Sequence, residues 1–117
     1  MKSSVLLDTI SAAVNRTSVF YDLGDGTNAN IAIGFTGADL VGTLTLQAAS
    51  GTNNANSDAN AIIATVSGSS QAVSASTNVV YSLSNIGYRW IRAVWTYTSG
   101  TGNIKVVLEE KEPQRRN

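Results

Sequence analysis

The sequence predicts an all-β protein, an antiparallel β-sandwich of about eight strands with jelly-roll or Greek-key connections, and three observations carry that expectation. Short stretches of period-two hydrophobic alternation recur along most of the 117 residues. Clusters of Ser, Asn, Gly and Asp separate them at short spacing, with one proline in the whole chain. No stretch of helical length shows a 3.6-residue apolar period bounded by caps. An up-and-down barrel is the alternative that the same pattern allows.

Taken in order, Ser4 to Asp8 reads as a short edge strand, and Thr9 to Val14 has room for one turn of helix. Val19 to Leu23 is the first clear strand. Gly24-Asp25-Gly26 follows it, and an Asp-Gly pair supplies the positive φ that a tight hairpin needs. From Asn30 to Phe35 the residues Ile31, Ile33 and Phe35 share one face, and Ala32 and Gly34 the other. Thr43 to Ala48 is the cleanest alternation, with Leu44, Leu46 and Ala48 inward and Thr43, Thr45 and Gln47 outward. Ala61 to Ser67, Asn78 to Leu83, Tyr88 to Thr98 and Asn103 to Glu110 complete the set. The predicted core comprises Phe20, Ile31, Ile33, Phe35, Leu44, Leu46, Val79, Tyr81, Ile104, Val106 and Leu108. Ser50 to Asn60 is the longest polar connection, and loops of that length in a compact domain are functional or mobile. Residues 1–112 read as a single domain; Pro113 stops the last strand and residues 113–117 form a C-terminal tail.

Composition removes several classes of function. A chain of this length supports one core. Eight Lys and Arg balance eight Asp and Glu, so no net field draws in nucleic acid or an anionic membrane. Cysteine and histidine are both absent, which excludes disulfides, thiolate metal sites, a Cys nucleophile and most hydrolase triads and zinc sites. The apolar run Val5-Leu6-Leu7 is too short for a signal-peptide core, and no window approaches the roughly 20 apolar residues of a membrane-spanning helix. A product that is intracellular when made, or assembled directly into a particle, is expected.

Each chemical motif has a plainer structural explanation. Asp22, Asp25, Asn28 and Asn30 gather oxygen atoms around Gly24 and Gly26, but their spacing departs from a calcium loop and suits a hairpin turn. Gly24-x-Gly26 opens no helix, so it is not a dinucleotide fingerprint. Asn15-Arg16-Thr17 matches a glycosylation sequon without the secretory context that would give it meaning. Carboxylates for hydrolysis would come from Asp8, Asp22, Asp25, Asp39 and Asp58, mostly at turns, and no enzyme, cofactor or metal site is expected.

Two features point instead to contact with other proteins. Between Leu40 and Tyr88 the only charged residue is Asp58, and charge is depleted in interface cores. An oligomer is expected, a homotrimer above others. The strand Tyr88 to Thr98 carries bulky residues on both faces, with Tyr88, Trp90, Arg92 and Val94 on one and Arg89, Ile91, Ala93, Trp95 and Tyr97 on the other. It reads as a central strand whose second face is covered by a loop or a neighbouring subunit. The sharper alternative makes Trp90 or Trp95 a sugar-stacking platform flanked by Arg89 or Arg92. The terminal segment from Lys105 holds seven of the sixteen charges; there Arg115 and Arg116 are expected either to be solvated or to dock on carboxylates of a partner.

The segments Tyr21-Asp22-Leu23-Gly24-Asp25-Gly26-Thr27, Gly42-Thr43-Leu44-Thr45-Leu46-Gln47-Ala48 and Tyr88 to Gly102, ending Thr98-Ser99-Gly100-Thr101-Gly102, resemble those of small tailed-bacteriophage virion proteins. These are β-sandwich modules whose final hairpin has this aromatic, Arg, aliphatic, Arg pattern. Many related segments follow the Gln47-Ala48 strand with a short Asn-Asp-Gly turn, where this chain has the longer polar stretch Ala49 to Asn60. The resemblance implies a virion location, with capsid decoration (cementing of subunit seams beside the major capsid protein) or a place in the tail as the roles. A carbohydrate-binding or receptor-binding tail module using Trp90 or Trp95 is the alternative.

Overall fold

The computed structural model describes residues 2–23, 28–50, 55–56, 62–84 and 88–111, and these form ten strands in two antiparallel sheets. In chain order they are β1 (Lys2–Ser11), β2 (Arg16–Thr17), β3 (Tyr21–Asp22), β4 (Asn28–Thr36), β5 (Val41–Ser50), β6 (Ile62–Thr65), β7 (Gln71–Ser74), β8 (Asn78–Leu83), β9 (Trp90–Ser99) and β10 (Asn103–Lys111). The first sheet runs β1-β10-β4-β8. The second runs β2-β9-β5-β6, with β3 also on β9 and β7 also on β5. If β2 with β3, and β6 with β7, each count as one interrupted strand, eight strands remain. Their pairings are first with last, second with seventh, third with sixth and fourth with fifth, which is a strand ribbon wrapped into a jelly roll.

Alternation decides which residues the sheets enclose. Ile31, Ile33 and Phe35 on β4 align in register with Leu108, Val106 and Ile104 on β10, and all six are buried. From the second sheet Leu44, Leu46, Ile91, Ala93 and Trp95 meet them, while Thr43 and Thr45 stay only half-buried on the outside. Trp95 lies at the centre, its ring 4.7 Å from that of Phe35 and its Nε1 donating to the Ala12 carbonyl at 2.8 Å. The buried indole donor is therefore satisfied by the chain crossing from β1 to β2.

Both edge strands of the second sheet are interrupted, and a serine closes each gap. Ser18, between β2 and β3, accepts from the Ala93 amide through Oγ at 2.9 Å and donates its own amide to the Ala93 carbonyl at 2.9 Å. Ser69, between β6 and β7, accepts from the Leu46 amide at 3.1 Å and donates to the Val66 carbonyl at 2.7 Å. They are the buried polar side chains among the described residues. A hydroxyl thus replaces the missing ladder bond, as buried backbone groups require.

Several expectations need correction. Thr9 to Val14 makes no helical turn: Thr9, Ile10 and Ser11 continue β1 through irregularities that place Asp8 and Thr9 opposite the single residue Lys105, with Thr9 at φ 44°. The strand predicted from Val19 to Leu23 is the two-residue β3, and β4 belongs to the other sheet, so no hairpin links them; Gly24-Asp25-Gly26 itself lies outside the described residues. The expected final hairpin is likewise a corner, because β9 and β10 lie in different sheets. Gly100, at φ +87°, makes that corner, and a Cβ there would collide with the Asp39 carbonyl. Strand β7 has no counterpart among the strands the alternation predicts, and β6 is shorter than the predicted Ala61 to Ser67. Val79 and Tyr81 are half-buried against the core, and Phe20 belongs to a separate cluster on the outer side of the second sheet.

Candidate interaction surface

The outer side of the second sheet gathers three of the predicted contact residues. Trp90 and Arg92 project outward from β9 because Ile91 and Ala93 point inward, and Ala49 and Gln47 stand beside them on β5 in register. Phe20 and Ala55 close over Trp90 and Ala49 to form a small second core. Asn56 holds this cover in place: its Oδ1 accepts from the Phe20 amide at 2.7 Å and its Nδ2 donates to the Phe20 carbonyl at 3.1 Å. Trp90 is consequently only 6 % exposed, and its Nε1 has no hydrogen-bond partner among the described residues.

The arginines are engaged within the chain. Arg89 makes a two-pronged pair with Asp22, Nε to Oδ1 at 2.8 Å and Nη2 to Oδ2 at 2.9 Å, with its guanidinium carbon 5.2 Å from the Trp90 ring centre. Arg92 donates from Nε to Gln47 Oε1 at 2.8 Å and lies 4.3 Å over Phe20. Burial lowers the Arg92 pKa from its ordinary value. Aromatic rings and guanidinium planes stack favourably, so these contacts rigidify the cover over β9.

Neither tryptophan presents a stacking face. Trp95 is 1 % exposed in the main core, opposite in direction to Trp90, and the expectation that it meets a partner is corrected by that burial. The covering of β9 is achieved within the chain by residues 20 and 55, a lid that period-two counting along β9 does not reveal. Asp22, one of the oxygens weighed for calcium, is taken by Arg89; Asn28 and Asn30 stand on β4 in the other sheet, and Asp25 lies outside the described residues. Arg115, Arg116 and the polar stretch around Asp58 also lie outside them.

Two other surfaces emerge. Along one flank run β6, β7 and β8, which carry no charged residue and leave Ile62 and Ile63 exposed. Tyr81 joins β8 to the β6–β7 gap by donating to the Ser69 carbonyl at 2.7 Å, and burial raises its pKa. The outer face of the first sheet carries an apolar row straight across its four strands, since register pairs Val5 with Val107, Val107 with Ala32 and Ala32 with Val80. Beside it, Gly34 leaves two adjoining shallow depressions of about 230 Å³ and about 350 Å³, both touching Lys105 and Asn78.

No protein-family model and no curated sequence matches this chain. Among solved structures its fold is similar to that of the SPBc2 prophage-derived protein YomS, at a TM-score of 0.53 and 11% identity, over 92% of this chain and 90% of that one. At such low identity the likeness establishes a shared all-β architecture across nearly the whole of both chains.

Proposed function

We propose that the chain is a non-enzymatic structural protein of a bacteriophage virion that, assembled on its particle as a homo-oligomer, a trimer in the simplest arrangement, decorates the head and reinforces seams between capsid subunits. The observation that carries this reading is the uncharged flank formed by β6, β7 and β8, where Ile62 and Ile63 stand exposed among Ser, Thr, Ala, Gln and Asn. A freely diffusing domain ordinarily protects such an edge with charge, and here the protection is absent from three strands in succession. A neighbouring subunit lying against the flank would bury it. The fold shared with a prophage-derived protein supports the phage setting.

The rival reading, a glycan-binding tail module, loses its support once Trp90 lies beneath Phe20 and Trp95 lies in the core. The test is location. Gold-labelled antibody against the protein, applied to purified particles of a phage that encodes it, should decorate heads at regular sites. Absence from purified particles, or an enzymatic activity retained by the isolated domain, would overturn the proposal. Label confined to the tail tip together with glycan binding would return the receptor-binding role.

A further inference from the structure

We propose that the outer face of the first sheet is a self-complementary surface on which a second copy of this chain packs face to face, about a two-fold axis running along the Val5-Val107-Ala32-Val80 row. This inference stands on the face itself and does not depend on the virion reading. The row is outward on all four strands. Val5 is 52% and Val80 64% exposed, Ala32 is exposed between buried Ile31 and Ile33, and Val107 is half-buried between buried Val106 and Leu108. Continuous apolar rows across a sheet face, rimmed by polar residues, mark contact surfaces.

Charge on the two sides of the row selects the partner. Lys105 stands one outward position to one side of Val107 on β10, and Glu109 one outward position to the other. In the same two flanking lines β4 and β8 supply Gly34 with Asn78 and Asn30 with Ser82. Lys105 and Glu109 are about 13 Å apart along the strand, and neither makes an ion pair with a described residue. A two-fold axis along the row lays each valine position on its own copy and exchanges the two flanking lines. Each Lys105 then faces the second copy's Glu109, twice per pair, as an isologous contact demands. Gly34, lacking a side chain, opens the depression beside Lys105 into which that carboxylate reaches. Asp8, exposed on β1 opposite Lys105, is the remaining charge at that end. Rim charges of this kind fix register and suppress other arrangements more than they add affinity.

The size of the face sets the strength. Four strands spaced about 4.8 Å apart give a patch of roughly 20 by 25 Å, on the order of 500 Å² per copy, below the about 800 Å² per partner of a standard stable interface. The free protein is therefore a weak dimer, populated when copies are concentrated or held side by side on a larger body.

Sedimentation equilibrium of the full chain from micromolar to millimolar concentration should show a monomer–dimer equilibrium. Lys105→Glu and Glu109→Lys should each weaken it about tenfold or more, and the double reversal should restore it, because the swapped charges still face one another. The chain contains no cysteine, so single cysteines report the register without ambiguity. With a short bis-maleimide, Ala32→Cys should cross-link to itself. Ser82→Cys should not, yet should cross-link when mixed with Asn78→Cys. Thermal melts of each variant check that the exposed substitutions leave the fold intact. A monomer throughout the range, a dimer indifferent to both single reversals, or a double reversal no better than the singles would overturn the proposal.

Discussion

Gly42 and Trp95 offer the sharpest test of how the core is held. Gly42 sits on β5 at the register shift against β9, and a β-carbon there would fall on the outer edge of the Trp95 indole and 2.6 Å from the Thr96 carbonyl oxygen. Trp95 has nowhere to go, being 1 % exposed and packed at a tilt against Phe35. Overpacking of this kind costs about 1–3 kcal/mol. If the ring tilts to escape, the hydrogen bond from Nε1 to the Ala12 carbonyl is lost as well, about a further 1 kcal/mol. Gly42→Ala should therefore destabilise by roughly 2–4 kcal/mol. An unstrained Gly→Ala change has the opposite sign, because it restricts the unfolded chain. Trp95→Phe removes the atoms that the new methyl would strike, while leaving a cavity and an unpaired Ala12 carbonyl, at a cost of about 2–4 kcal/mol on its own. The double variant should be less damaged than the sum by about 1–2 kcal/mol, the remainder being the Thr96 carbonyl, which the exchange does not move. Urea unfolding of the four proteins measures the cycle. Additivity within error, or a neutral Gly42→Ala, would refute the reasoning.

Three further outcomes are expected. Leu46→Ala, at a site with no solvent exposure, should cost about 2–5 kcal/mol in the same unfolding assay, whereas Thr45→Ala beside it should cost far less. Ser69→Ala strands the buried Leu46 amide and should cost about 1–3 kcal/mol, while the exposed neighbour Ser70→Ala should be close to neutral; equal effects would remove the bridging role given to Ser69. Burial raises the Tyr81 pKa above its ordinary value near 10, so the neutral phenol is favoured by the folded state. That contribution is complete below the unfolded pKa and declines as pH rises through 10 and beyond, so melts should fall on the alkaline side and Tyr81→Phe should flatten that fall.

The parts of the fold legible in the sequence are those decided by period-two alternation within one strand. On β4, β5 and β10 the inward sets Ile31-Ile33-Phe35, Leu44-Leu46 and Ile104-Val106-Leu108 are those that the alternation assigns, because a one-residue slip would expose every one of them. Legibility ends where the signal depends on tertiary pairing. Strands β2 and β3 are two residues each, too short for any pattern, and exist because β9 offers them an edge and Ser18 spans the gap between them. The Asp-Gly pair after β3 and the Gly100 corner after β9 both resemble hairpin signals, yet each lies between strands in different sheets. Local turn chemistry specifies that the chain reverses, but not which sheet receives it.

The same limit explains what the sequence could and could not reveal of the surfaces. Arg89, Trp90 and Arg92 stood out because bulky residues on both faces of one strand mean that something covers the second face. The cover itself came from Phe20 and Ala55, which are distant in sequence and joined through Asn56. Trp95 stands on the opposite face of the same strand, and only the placement of β9 against the first sheet decides that this face, and not that of Trp90, meets the main core. The Val5-Val107-Ala32-Val80 row is less legible still, because each strand contributes one residue and the four strands are first, last, third and sixth around the roll. Alternation along any one of them shows a single unremarkable apolar residue on the outer face. Wrapping the ribbon places the first and last strands side by side, so the fold that closes the core is also what assembles the row.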